Sequence, residues 1–299
     1  MSAGRAPSAF AGEDIVLADR TLHIRIAANP GAPTAIFLHG LGGSALNWTD
    51  LMYALQSQVN GVGVDLGGFG MSPPPRDGDM SPEGHARGAA ELIKYLDRGP
   101  VHVFGNSFGG AVALNLAARY PALVRSLTLI SPALPSLYAT KGNMHLPAIA
   151  LPGVGERMIP KFLSIPAKDR VRMSVETNFA DPSRLPPERL AEAQQEMELR
   201  DSFPYASDVF LRTLRSLLKT YVDRGPHRPW KLAERVHVPT LLVYGRKDPL
   251  VDPRTAHRAT SVFPQAHVVV LPDSGHVAQM EHPEFVLAAW DRFIGNPQA

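Results

Sequence analysis

The chain has 299 residues, 44% of them hydrophobic, and a formal net charge of +2 at pH 7. This length allows one or two domains, and the hydrophobic fraction is sufficient for a large core. No basic stripe and no cluster of aromatic residues with Lys and Arg occurs, which argues against nucleic-acid binding. No apolar run approaches the ~18 residues that a membrane-spanning helix needs, so integral membrane association is not expected.

The N-terminal residues and the lack of cysteine bear on the cellular compartment. Residues 1–14 have no apolar signal core and are rich in Ala, Gly and Ser, which predicts a flexible N-terminus over residues 1–13 and a cytoplasmic protein. Export by another route stays open. The absence of cysteine excludes disulfides and a thiol nucleophile without identifying the compartment.

Strand-like and helix-like segments alternate along the chain. Residues 14–17 and 21–27 predict an opening hairpin, and Ser81 followed by Pro82 predicts the start of a helix. The alternation is typical of a mostly parallel sheet with helices on both faces. The further predicted strands cover residues 35–38, 61–64, 101–104, 126–130, 240–244 and 268–271.

Two glycine-rich loops follow the early strands. Residues 39–43, His-Gly-Leu-Gly-Gly, occupy the position of a loop whose backbone could stabilise an oxyanion. We interpret residues 65–72 as a structural turn, in which Asp65 accepts hydrogen bonds from backbone amides. His39 ends a buried strand, so we expect it to brace its loop rather than transfer protons.

Gly-Asn-Ser-Phe-Gly at residues 105–109 lies between a predicted strand and a predicted helix at residues 111–119. This is the context of a nucleophile elbow, where a sharp turn holds the serine in a strained conformation and glycine two residues away on either side avoids a clash. Ser107 is therefore the candidate nucleophile. The backbone N–H groups of Leu41 and Phe108 are the candidate oxyanion donors.

An acid and a histidine follow two later strands. Asp248 comes after residues 240–244 and His276 after residues 268–271, so the order is serine, acid, histidine. His276 would act as general base and Asp248 would orient it. The alternative acids are Asp252 and Asp273; the alternative bases are His257, His267 and His282. The histidine spacing contains no metal-binding motif, and the glycine-rich segments match no nucleotide fingerprint, so no metal or cofactor is expected.

Together these motifs resemble the α/β-hydrolase superfamily over residues ~14 to ~295. The resemblance implies an α/β-hydrolase fold, with a mostly parallel eight-stranded sheet, helices on both faces and a helical lid. It divides the chain into a core domain, residues 14–132 and 236–299, and a lid, residues 133–235.

The proposed lid is supported by the hundred or so residues between the strands at 126–130 and 240–244, far more than one crossover needs. Residues 187–199 and 207–222 predict helices, whose apolar stripes most often pack onto a core domain. Residues 144–166 are apolar but broken by prolines, which predicts short pieces over the pocket mouth. The candidate pocket residues are His39, Gly40, Gly42, Asn106, Met144, Leu146, Ile149, Phe162 and Val277.

A serine at the nucleophile position disfavours the superfamily members that use aspartate there, the haloalkane dehalogenases and epoxide hydrolases. The segment around His276 looks like that of esterases and lipases, and the expected substrate is a hydrophobic small-molecule ester, cleaved by a monomer or homodimer. The elbow is similar to that of meta-cleavage-product hydrolases, which cut C–C bonds. Those enzymes usually have an aromatic residue where Val277 stands, so C–C hydrolysis is second. A non-catalytic small-ligand receptor on the same fold is a third alternative.

Overall fold

A computed structural model describes residues 4–136, 140 and 142–295. Its centre is an eight-stranded sheet of order β1-β2-β4-β3-β5-β6-β7-β8, in which β2 runs antiparallel to both neighbours and all later pairs are parallel. The predicted α/β-hydrolase sheet and its opening hairpin are thus confirmed. The strands are β1 Gly12–Val16, β2 Thr21–Ala27, β3 Thr34–Leu38, β4 Asn60–Val64, β5 Val101–Asn106, β6 Val124–Ile130, β7 Thr240–Gly245 and β8 Ala266–Leu271.

Helices cover both faces of the sheet. Along β3, Ile36 and Leu38 belong to one buried apolar cluster and Ala35 and Phe37 to the other, because successive side chains of a strand point to opposite faces. The helices are α1 Thr49–Leu55, α2 Pro82–Leu96, α3 Phe108–Arg119, α4 Leu146–Ala150, α5 Gly155–Leu163, α6 Ala167–Asn178, α7 Pro187–Arg200, α8 Ala206–Val222, α9 Pro229–Ala233, α10 Thr255–Val262, α11 Ala278–Glu281 and α12 Pro283–Gly295. Within the described ranges, no helix combines the length and hydropathy needed to cross a bilayer.

Two local predictions are confirmed by hydrogen bonds. Ser81 caps α2, since its side chain accepts from the Gly84 amide at 3.0 Å. Asp65 accepts from the amides of Ala45 and Met71, at 2.7 and 2.8 Å. These side chains satisfy amides that the turn and the helix start leave without a backbone partner.

The N-terminal segment differs from the predicted flexible start. Arg5 donates to Asp50 at 2.7 Å, and the Ala6 amide donates to the same carboxylate at 3.1 Å. The Ala9 amide donates to Glu192 on α7 at 2.9 Å. Arg5, Ala6 and Ala9 are therefore held by partners far away in the chain, which local composition does not reveal; the first three residues lie outside the described part.

Six helices, α4 to α9, lie between β6 and β7, where the sequence predicts a lid. Helices α7 and α8 begin and end within one residue of the predicted positions, and α4 and α5 are the expected short pieces. Helix α9 differs, because it packs against α3, and its residues Trp230 and Leu232 belong to the core beside the sheet. The sequence places the end of the lid at residue 235, whereas α9 packs with the core.

Candidate active site

The three predicted catalytic residues follow β5, β7 and β8. Because these strands are parallel, their carboxyl ends meet at one edge of the sheet. Ser107 comes directly after β5, while Asp248 and His276 lie in the loops after β7 and β8. Ser107 and His276 both line one cavity, as expected from parallel strands that deliver their loops to the same edge.

Ser107 has the backbone strain of a nucleophile elbow. Its φ of 52° and ψ of −117° lie in a region that non-glycine residues rarely adopt, at a cost of about 1–3 kcal/mol. Backbone hydrogen bonds hold it, among them those from Ser107 N to the Ile130 carbonyl at 3.1 Å and from Ala133 N to the Ser107 carbonyl at 2.8 Å. A side chain on Gly109 would collide with the Leu38 carbonyl oxygen, so the elbow requires glycine there.

The acid and the histidine are in direct contact. His276 Nδ1 lies 2.9 Å from Asp248 Oδ2, and Asp248 Oδ1 accepts from the amides of Leu250 and Val251 at 2.8 and 2.9 Å. Burial raises the pKa of Asp248, but the His276 ring and these hydrogen bonds outweigh it and leave the pKa below its usual value. An ionised carboxylate only accepts, so Nδ1 carries the hydrogen and Nε2 is left with a free lone pair.

The loop that carries His276 is fixed on both sides. The His276 amide donates to the Asn178 carbonyl at 2.7 Å, and the His276 carbonyl accepts from Asn106 Nδ2 at 3.1 Å. Glu281, fully buried, accepts from the Gly275 amide at 2.7 Å. Asn106 was a predicted site residue; the contributions of Asn178 and Glu281 have no sequence signal, since they depend on contacts between separate elements.

The predicted oxyanion loop forms a tight turn beside Ser107. The Gly43 amide donates to the Gly40 carbonyl at 3.0 Å, and Gly42 has φ of 76°, which is typical of the third residue of a type II turn. A Cβ placed on Gly40 would lie 3.2 Å from Ser107 Cβ, so the loop borders the serine directly.

His39 braces this loop, as expected from the sequence. Its Nδ1 donates to the Gly40 carbonyl at 2.7 Å and its Nε2 accepts from the Leu66 amide at 3.0 Å. Burial lowers the pKa of His39 to about 4, which keeps the ring neutral. The N–H of a trans peptide points opposite to its C=O. Holding the Gly40 carbonyl therefore also orients the Leu41 N–H.

The two candidate oxyanion donors are available for a ligand. Among the described residues, neither Leu41 N nor Phe108 N donates a hydrogen bond to another protein group. Both residues line the cavity that contains Ser107. Leu41 and Phe108 therefore remain the candidate oxyanion donors.

The alternative acids and bases have other partners. Asp252 pairs with Arg254 and Asp273 with Lys247 at the surface. His282 Nε2 lies 3.3 Å from the Asp273 carbonyl oxygen. His282 Nδ1 also lies 3.5 Å from Glu284, but neither of these two residues lines the cavity that contains Ser107.

The cavity has a volume of about 620 Å³ and a mainly apolar wall. Of the predicted pocket residues, Gly40, Gly42, Asn106, Leu146 and Val277 line it. His39, Met144, Ile149 and Phe162 do not.

Different structural reasons place these residues outside the wall. His39 lies beneath the loop rather than at its surface, while Met144 and Phe162 are 66% and 42% exposed. Proline-broken apolar segments do not indicate which side faces inward. Helix α8 supplies the wall instead, through Leu214, Leu217, Leu218 and Tyr221. Its apolar stripe was visible in the sequence but predicts burial equally well against a core or a cavity.

The insertion also contributes two charged wall residues that the sequence did not reveal. Glu196 and Arg200 of α7 line the cavity. They lie three and seven residues after Ala193, on the helix face that also carries Met197, and this spacing is the signal that could have identified them. Within the described ranges, no three His, Asp or Glu side chains come together as a metal site.

Comparison with known proteins identifies the family. The family model described as alpha/beta hydrolase fold matches residues 33–283, so the chain belongs to that family. Lipase 1 from Psychrobacter immobilis is 26% identical over 264 residues, covering 85% of this chain and 74% of the relative. A 2-hydroxy-6-oxononadienedioate/2-hydroxy-6-oxononatrienedioate hydrolase from Cupriavidus pinatubonensis is 26% identical, covering 94% of each chain.

Two further matches show how broad the similarity is. A dihydrolipoyllysine-residue acetyltransferase component of an acetoin cleaving system from Pseudomonas putida is 28% identical over 86% of this chain, which spans only 62% of that relative. The structure of 2-hydroxy-6-oxo-6-phenylhexa-2,4-dienoate hydrolase from Rhodococcus has a TM-score of 0.78 at 22% identity, covering 95% of this chain and 98% of that one. The fold is therefore shared by relatives with different substrates, and the lipase relatives support hydrolase activity.

Proposed function

We propose that the protein hydrolyses carboxylic esters with hydrophobic acyl or aromatic groups, using Ser107, His276 and Asp248. The observation that carries this proposal is one cavity that contains a strained serine and an imidazole held by a buried carboxylate. A serine hydroxyl is a weak nucleophile, and this arrangement supplies the base that it needs.

In this mechanism Ser107 Oγ attacks the ester carbonyl while His276 Nε2 takes its proton. The Leu41 and Phe108 amides stabilise the oxyanion, and each such donor is worth about 3–4 kcal/mol of barrier. His276 then protonates the leaving alcohol, which leaves an acyl group on Ser107. Water activated by His276 releases the acid, and Asp248 stabilises the imidazolium in both steps.

The cavity wall supports a neutral, hydrophobic substrate. Helices α6 and α8 line it with Val171, Val175, Leu214 and Leu218. The charged wall residues that the structure describes are Arg200, Glu196 and Asp252, and Arg200 already bonds to the protein backbone. Burying an apolar acyl chain here gains roughly 0.8 kcal/mol per CH₂ group. In this proposal α4 to α8 act as the lid over that chain.

The test uses a fluorophosphonate probe and p-nitrophenyl esters of increasing chain length. The wild type should be labelled at Ser107 and should prefer a medium or long acyl chain. Ser107→Ala should abolish labelling and lower kcat by about 10⁶-fold. Ser261→Ala, an exposed serine on α10, is the matched control and should behave as wild type. Full esterase activity in Ser107→Ala would refute the assignment.

C–C hydrolysis is the second candidate, because the Cupriavidus relative matches over nearly the whole of both chains. Its named substrates are dicarboxylates, which would place two negative charges in the cavity. With Glu196 beside Arg200, the described wall offers little compensating positive charge. A higher kcat/KM for a 2-hydroxy-6-oxo-dienoate than for every ester would reverse the order of the two candidates.

A further inference from the structure

Helix α7 of the insertion forms hydrogen bonds with the oxyanion loop through two charged side chains. Arg200 Nη1 donates to the Gly42 carbonyl at 2.9 Å, and Glu196 Oε2 accepts from Ser44 Oγ at 2.8 Å. Glu196 Oε1 and Arg200 Nη1 lie 3.7 Å apart. The two contacts are made by Gly42 and Ser44, on either side of Gly43 and shortly after Leu41 in the loop.

The pair is largely removed from solvent, and this makes the contacts specific. The side chains of Glu196 and Arg200 are 11% and 20% exposed. Burial and the nearby Asp65 carboxylate raise the pKa of Glu196, while Arg200 and the Ser44 hydroxyl oppose this. Buried charges are tolerated only when partners are placed to satisfy them. Here those partners belong to the loop, so the energetics of the pair depend on the loop conformation.

The loop needs such restraint because it contains two adjacent glycines. Gly42 and Gly43 give the backbone access to many conformations. The core side is fixed by His39, which holds the Gly40 carbonyl. The other side of the Leu41 residue is fixed by Arg200, which holds the Gly42 carbonyl. One of these hydrogen bonds comes from the sheet domain and the other from the insertion.

We propose that Glu196 and Arg200 are positioning residues that keep the Leu41 amide aimed at the oxyanion, so that the oxyanion hole is complete only when α7 lies against the core. The inference rests on the proposed function and adds a role for the insertion in the chemical step. An oxyanion donor must lie 2.7–3.1 Å from the developing charge. A displacement near 1 Å costs on the order of 10²-fold in rate.

Arg200→Met tests this by removing the donor while keeping most of the side-chain volume. We expect kcat to fall about 10- to 100-fold with KM changed by less than about threefold, because the lost interaction acts mainly on the transition state. Arg200→Lys retains a charged donor and should recover part of kcat. Arg172→Met, an exposed arginine on α6, is the control and should match wild type.

Two ligands separate positioning from substrate binding. An alkyl boronic acid forms a tetrahedral adduct with Ser107, and its affinity should fall by the same factor as kcat/KM. A primary alcohol of the same chain length has no oxyanion, and its affinity should not change. Weaker alcohol binding and a raised KM with normal kcat would show that Arg200 binds substrate, and would overturn the proposal.

Ser44→Ala provides a test that leaves α7 unaltered. It removes the loop partner of Glu196, together with the cap that Ser44 gives the Leu46 amide, and should lower kcat several-fold at constant KM. Unchanged kcat in both Arg200→Met and Ser44→Ala refutes the inference. If the wild type neither hydrolyses esters nor reacts at Ser107, the proposed function itself fails. If the wild type does both and the two variants keep its kcat, only the positioning role is rejected.

Discussion

The sheet edge and the inserted helices differ in how firmly their residues are placed. At the sheet edge, Asp248 and His276 are buried, and both are held by hydrogen bonds that involve the backbone. In the insertion, Met144, Leu151 and Phe162 leave large apolar surfaces exposed. In the proposed function the first region fixes the reacting atoms, whereas the second supplies a wall that needs only shape and apolar character.

This difference indicates a division of roles. A reaction centre loses rate steeply when its atoms move, but an apolar wall tolerates substitution if its volume is kept. The contact of Arg200 with Gly42 is where the two regions meet, since a residue of the insertion bonds to a loop of the reaction centre. The predictions below test how complete the separation is.

Asp248→Asn should produce the largest effect on the sheet-edge side. The asparagine Oδ1 would still accept from Leu250 and Val251, which leaves its amide nitrogen facing His276. The imidazole would then carry its hydrogen on Nε2 and lose its basic lone pair toward Ser107. We expect kcat to fall about 10⁴-fold at constant fold stability.

The measurement is single-turnover ester hydrolysis, with thermal unfolding as a check on folding. Asp273→Asn, which alters an exposed carboxylate paired with Lys247, is the control and should retain activity. A loss below about tenfold in Asp248→Asn would show that another acid orients His276.

Leu218→Trp on α8 should produce an intermediate effect and should change selectivity, not chemistry. The larger side chain would shorten the cavity, so kcat/KM for the preferred longer ester should drop roughly 10- to 100-fold while that for acetate ester stays within threefold. Phe162→Ala is the matched change outside the wall and should leave the chain-length profile as it is. A changed profile in Phe162→Ala would place that residue in the pocket after all.

The smallest effect concerns stability against pH. Burial lowers the pKa of His39, His85 and His102 to about 4 each. Between pH 6.5 and 4 the unfolded chain therefore binds more protons than the folded chain. The free energy of unfolding falls as pH falls through this range, by at most about 1.4 kcal/mol per pH unit for each histidine. Above pH 6.5 these groups contribute no pH dependence.

Urea denaturation from pH 7 to 4.5 measures this slope. His102 Nδ1 contacts Ser126 Oγ at 2.7 Å, and His102→Asn keeps a partner for that hydroxyl. This variant should reduce the slope of unfolding free energy against pH, to which the three histidines contribute, by about one third. An unchanged slope would mean that burial does not lower the pKa of His102.

Much of the fold and of the candidate site could be predicted because local rules decide it. The strained turn at Ser107 needs Gly105 and Gly109, and parallel strands bring loops that are far apart in sequence to one edge. For the same reason Asp248 and His276 could be identified from the strand that precedes each. The cap at Ser81 depends only on neighbours within one helical turn.

The sequence by itself determined which backbone positions carry the candidate catalytic residues, because the relevant constraints span only a few residues. Tertiary structure alone decided which helix face lines the cavity, that Arg5 and Ala9 bond to Asp50 and to α7, and that Arg200 reaches Gly42. Apolar periodicity reports that a face is buried without reporting what covers it. Contacts between distant segments exist only once the packed domain sets their distance and angle.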